Sequence, residues 1–75
     1  MSNFPSRAEV QSIKMKYPKG TKIRCIFMND GRPIKGGTIG EVDFVDDIGS
    51  IFMKWPNGRT TPLIPNYDDF EIVDK

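Results

Sequence analysis

The residues of this chain whose types could do chemistry are two pairs of adjacent carboxylates, Asp46-Asp47 and Asp68-Asp69, one cysteine, Cys25, and a glycine-rich run, Gly36-Gly37-Thr38-Ile39-Gly40. General acid–base catalysis needs two carboxylates facing one site, whereas neighbours on a strand point to opposite faces. Both pairs sit beside turn residues, where an aspartate more often accepts backbone N–H groups, and we read them so. A calcium loop needs alternating acidic positions with a distal glutamate, and the chain has no such pattern. A phosphate loop ends in Lys-Ser/Thr and opens a helix; the glycine run does neither, so it reads as a turn entering a bent strand. Cys25 alternates with Ile23 and Phe27, which makes it a buried structural thiol. Histidine is absent, and with it go Ser-His and Cys-His catalysis and His-ligated zinc. A lone cysteine forms no internal disulfide and no thiolate cluster, and it fits a reducing compartment. The expectation is a non-enzymatic protein with no cofactor and no metal.

These residues must be positioned by few elements. The chain has 75 residues and is expected to form a single domain over 1–75, with a helix over 6–17 and a β domain over 21–73. Ser6 followed by Glu9 matches a capping box, and Val10, Ile13 and Tyr17 fall on one helical face. Pro18 ends the helix, whose narrow apolar stripe suits a lid on the domain. From Lys22 the period becomes two, with Ile23, Cys25 and Phe27 on one face. A second strand runs from Thr38 to Asp46, and its phase slips between Ile39 and Val42, which predicts a bend at Gly40. Ser50–Trp55 alternates with Ile51, Met53 and Trp55 inward, leaving Phe52 outward. Thr60–Ile64 reads as an edge strand with a proline, and Phe70–Val73 as a last strand with Phe70 and Ile72 inward. No crossover helix separates the strands, so the sheet is antiparallel, and about five short strands avoid exposed edges best by closing into a small barrel. The start of the chain carries no basic, apolar leader, and no apolar run is long enough to span a membrane, so a cytoplasmic location is expected.

The formal net charge of +1 hides an asymmetry. Residues 1–35 carry Arg7, Lys14, Lys16, Lys19, Lys22, Arg24, Arg32 and Lys35 against Glu9 and Asp30. Residues 36–75 carry Lys54, Arg59 and Lys75 against Glu41, Asp43, Asp46, Asp47, Asp68, Asp69, Glu71 and Asp74. Either the two halves neutralise each other across the sheet, with Lys22 and Arg24 opposite Glu71, or the molecule is a dipole with one basic face.

An ordered set of short motifs runs through the chain: Pro18-Lys19-Gly20-Thr21, Gly37-Thr38-Ile39-Gly40-Glu41-Val42, Val45-Asp46-Asp47-Ile48-Gly49, Trp55-Pro56-Asn57-Gly58, and Leu63-Ile64-Pro65 with Asp69-Phe70. Over Ser6 to Val73 this set resembles a small domain-of-unknown-function family of bacteria, phages and mobile elements, DUF4314. The resemblance implies an SH3-like barrel and carries no activity with it. The chain departs from that pattern in the loop before Thr38, where Lys35-Gly36 stands in place of a proline pair.

Two functional readings follow. The first is a protein-binding adaptor module, which the resemblance associates with phages or mobile elements, meeting its partner through Tyr17, Phe52, Trp55, Asn57, Arg59 and Tyr67. In it Phe52 joins Tyr17 or Tyr67 as a stacking platform or cage, against the alternative that Phe52 packs under the helix. The second is nucleic-acid binding through Lys14, Lys16, Lys19, Lys22, Arg24, Arg32 and Lys35. The oligomeric state is not legible in the sequence.

Overall fold

The computed structural model describes residues 5–73, which form one helix and four strands. Helix α1 (Arg7–Lys16) begins at the capping box: the Ser6 hydroxyl accepts from Glu9 N–H at 3.1 Å, and Glu9 Oε1 accepts from Ser6 N–H at 2.9 Å. Two amides with no intrahelical partner are thereby satisfied. Lys14 and Lys16 lie in the last turn, near the negative end of the helix dipole. Tyr17 N–H closes that turn on Ile13 O at 3.0 Å, and Pro18 stops the helix. Val10 is buried, while Ile13 and Tyr17 pack against the core from outside.

Strands β1 (Lys22–Phe27), β2 (Ile39–Val45), β3 (Ile51–Lys54) and β4 (Asp69–Ile72) make an open antiparallel sheet in the order β3-β2-β1-β4. Its inner face gathers Ile23, Cys25, Val42, Ile51, Met53 and Trp55, joined by Met28, Ile34 and Leu63 from the loops. Each fully buried aliphatic side chain of this kind contributes roughly 1.5–3 kcal/mol. The alternation expected in β3 holds without exception.

Elsewhere the parity breaks at bulges. The pairing of β1 with β4 shifts between Cys25 and Phe27, so Phe27, expected inward, is 59% exposed and Met28 is buried in its stead. The pairing of β2 with β3 shifts between Val42 and Phe44, not at Gly40. An extra unpaired residue reverses which face the following side chains occupy. Phe44 therefore turns outward and is 51% exposed, and Val45 packs against the core. Gly40 occupies an inward position for a different reason: a Cβ there would lie 2.5 Å from Cε3 of Trp55.

The expected strand over Thr60–Ile64 reduces to one antiparallel bridge between Leu63 and Ile51, with N–H to O distances of 2.9 and 2.8 Å. Pro62, next to that bridge, has no N–H to extend it. In β4, Phe70 is half-buried as expected, but Ile72 is 40% exposed because β4 ends the sheet. Phe4, Asp74 and Lys75 lie outside the described residues. No described helix is long and apolar enough to cross a membrane.

Candidate protein-docking surface

The first aspartate of each carboxylate pair is built into a turn, while Asp47 is exposed beside Lys14 and Asp69 opens strand β4. Asp46 Oδ1 accepts from the amides of Ile48 at 3.1 Å and Ser50 at 2.8 Å, which fixes the turn completed by Gly49 at φ +84°. Asp68 is buried, and its two oxygens accept from Asn29 N–H and Ile64 N–H, each at 2.8 Å. Asp68 thus ties the end of β1 to the 64–68 turn. These two aspartates use their lone pairs on backbone amides. Cys25 is buried and its Sγ–H donates to Ile34 O at 3.6 Å. Desolvation first, and then the nearby Asp68 charge, pushes the thiol above its ordinary value, away from the reactive thiolate.

Four of the seven cations considered for nucleic acid are paired with carboxylates. Lys14 meets Asp47 at 3.6 Å, Lys19 meets Asp43 at 4.0 Å, and Lys22 meets Glu41 at 2.9 Å. Arg24 pairs with Glu71 directly across the β1–β4 ladder, as expected. Lys22, also expected opposite Glu71, lies instead opposite Glu41 on β2. Every one of these four pairs joins the basic half of the sequence to the acidic half. Lys22 lowers the Glu41 carboxyl below its ordinary value, first by hydrogen bonding and then by charge. Lys16 lies over the Tyr17 ring, 5.5 Å from its centre. Arg32 N–H donates to Asp30 Oδ1 at 2.9 Å and the Arg32 side chain is exposed, as is Lys35.

The six residues proposed for a partner separate into four groups. Trp55 is only 3% exposed and its indole N–H donates to Thr61 O at 2.8 Å, so it is core. Asn57 and Arg59 shape loops: Asn57 Oδ1 accepts from Arg59 N–H at 3.0 Å, and the Arg59 guanidinium donates to the carbonyls of Arg32 and Pro33 and to Thr61 Oγ1. Phe52 is half-buried and stacks face to face on Phe44, with ring centres 4.8 Å apart and planes 8° from parallel. Phe44 thus takes the place expected for a tyrosine in the stack on Phe52.

Tyr17 and Tyr67 do approach one surface, a trough between α1 and the 64–70 segment. It has two adjoining grooves that share Glu9, Ile13, Pro65 and Asn66. The groove of ≈ 590 Å³ beside β4 includes Tyr17 and Phe70, whose rings meet edge to face at 5.8 Å. The other groove, of ≈ 480 Å³, includes the exposed Ile48, Ile64 and Tyr67. Ala8 and Ser12 also line the first groove, and no sequence signal marked them. The trough has apolar rings and polar rims, with Glu9, Lys16, Asp68 and Asp69 along the first groove. Among the described residues no three His, Cys, Asp or Glu side chains group as metal ligands.

This small, mainly β domain belongs to a family of domains of unknown function (DUF4314), whose model matches residues 6–73. No curated protein and no solved structure matches the chain.

Proposed function

We propose that this domain is a non-catalytic binding module that engages a protein partner, built on an SH3-like barrel. The observation that carries the reading is the pairing of the basic and acidic halves. Lys14, Lys19, Lys22 and Arg24 each spend their charge on a carboxylate of the second half. Exposed pairs of this kind add little stability, but they cancel the field a polyanion would follow. What the surface offers instead is apolar: the Phe44–Phe52 stack and the trough rimmed by Ile48, Ile64 and Tyr67. Exposed apolar surface bounded by polar residues suits a protein partner.

Two contacts support the barrel reading. Leu63 continues the sheet beyond β3, and Asp68 then binds the same segment to the end of β1. The segment therefore runs from one side of the sheet towards the other. The resemblance to domains of phages and mobile elements directs the search to a cytoplasmic partner in such a host. Capture on the immobilised domain, with and without nuclease treatment of the lysate, tests the reading. A protein retained after nuclease supports it; retention that vanishes with nuclease overturns it.

A further inference from the structure

Strand β4 is the last of the sheet, so among the described residues no strand neighbours one side of its backbone. The ladder determines which groups that side presents. Val73 N–H donates to Lys22 O at 2.9 Å. By antiparallel alternation the backbone of Glu71 then faces Arg24, while the N–H and C=O groups of Phe70 and Ile72 point away from β1. Cys25, opposite Phe70, agrees: its N–H donates to Thr38 O at 2.8 Å and its carbonyl accepts from Gly37 N–H at 2.7 Å, both on the side remote from β4. Among the described residues, no turn, loop or side-chain hydrogen bond reaches the outward groups of Phe70 or Ile72.

The ≈ 590 Å³ groove lies beside the start of this edge, with α1 as its opposite wall. Small side chains, Ala8 and Ser12, line the helix side. The side chains of β4 alternate in chemistry. Phe70 and Ile72 belong to the inner face, and Asp69 and Glu71 to the outer one. Asp69 has no ion-pair partner among the described residues. Around the groove, Glu9, Asp68 and Asp69 outnumber Lys16.

We infer that this edge accepts an extended peptide with basic and apolar residues at alternate positions, which adds to β4 as a further strand alongside α1. The inference rests on the protein-partner reading and supplies the chemistry of the partner segment and its place. Backbone hydrogen bonds to Phe70 and Ile72 give the affinity, and alternate side chains give the selectivity. Apolar side chains of the incoming strand meet Phe70 and Tyr17, while its basic side chains meet Asp69 and Glu71 across the new ladder. A second copy of β4 would set acid against acid at those positions, so self-pairing is disfavoured.

The test uses the full chain, isotope-labelled for NMR, and a fluorescent peptide of alternating lysine and valine. The amides of Phe70 and Ile72 should shift and gain protection from hydrogen exchange, with accompanying shifts at Ala8, Ser12 and Tyr17. Ile72→Pro removes an edge N–H that bonds nothing in the β1 ladder, and should weaken the peptide roughly tenfold. Asp69→Lys should weaken it and flatten its salt dependence. No binding, equal binding of a glutamate–valine peptide, or shifts centred on Phe44 and Phe52 overturns the inference. The protection measurement needs no variant, so a misfolded Ile72→Pro leaves the test intact. If a protein captured from the host is retained equally by a folded Ile72→Pro domain, the edge is wrong while the protein-partner reading stands.

Discussion

Gly40 and Trp55 compete for one space: a Cβ added at Gly40 would stand 2.5 Å from Cε3 and 2.9 Å from Cζ3 of the indole. Trp55 is held there by its own hydrogen bond to Thr61 O and by burial in the core, so it has little room to yield. Gly40→Ala should destabilise the domain by roughly 1–3 kcal/mol through overpacking, and Gly40→Val by more. Thermal melts check this. An unchanged midpoint for Gly40→Ala would show that the indole is not fixed.

The helix depends on its first turn. Ser6→Ala removes the acceptor for Glu9 N–H and should cost about 1 kcal/mol. Ser6 also holds the Glu9 carboxyl below its ordinary value, through its backbone amide first and its hydroxyl second. An NMR titration should find Glu9 ionising at lower pH in the parent than in Ser6→Ala. Identical titrations would remove the capping box from the account.

Much of this local chemistry was legible in the sequence, and the reason is range. The capping box needs residues three apart, the Asp46 turn needs residues within four, and the β3 alternation needs only its own period. The pairing of Arg24 with Glu71 was legible because opposite charges favour facing strand positions. The positions of Phe27 and Phe44 were not, because a bulge is set by the register against the partner strand. The phase slip points to a bend at Gly40, whereas the role of Gly40 is to leave room for Trp55, a residue fifteen positions away whose approach only the folded sheet determines. The trough was hidden for the same reason: Tyr17 and Phe70 meet only once the sheet and the Asp68 tie have formed.

Asp68 is the tie most exposed to test. Asp68→Ala leaves the amides of Asn29 and Ile64 without their acceptors, and should cost roughly 2–3 kcal/mol. Asp68→Asn keeps one carbonyl acceptor and should cost less. Urea unfolding of the two variants checks the order, and equal stabilities would contradict it.

The ion pairs imply a pH dependence of known sign. A carboxylate whose folded pKa is lowered adds stability above its unfolded pKa, and that stability is lost as pH falls through the folded value. Lys22 lowers Glu41 and Ser6 lowers Glu9, so both contributions fade on acidification below the ordinary glutamate range. Both groups are exposed, which keeps the effect small. Glu41→Gln should make the decline in stability across that acid window shallower. A steeper decline would contradict the assignment.

The central claim is that pairing between the two halves of the chain leaves a surface for protein and not for nucleic acid. Its most direct measurement is the titration of fluorescent single-stranded and double-stranded DNA and RNA with the domain at low and at moderate salt. The account predicts no saturable binding at either concentration. Saturable binding at low salt that falls steeply as salt rises, and that is lost when Lys14, Lys16 and Lys19 are together replaced by glutamate, would contradict it.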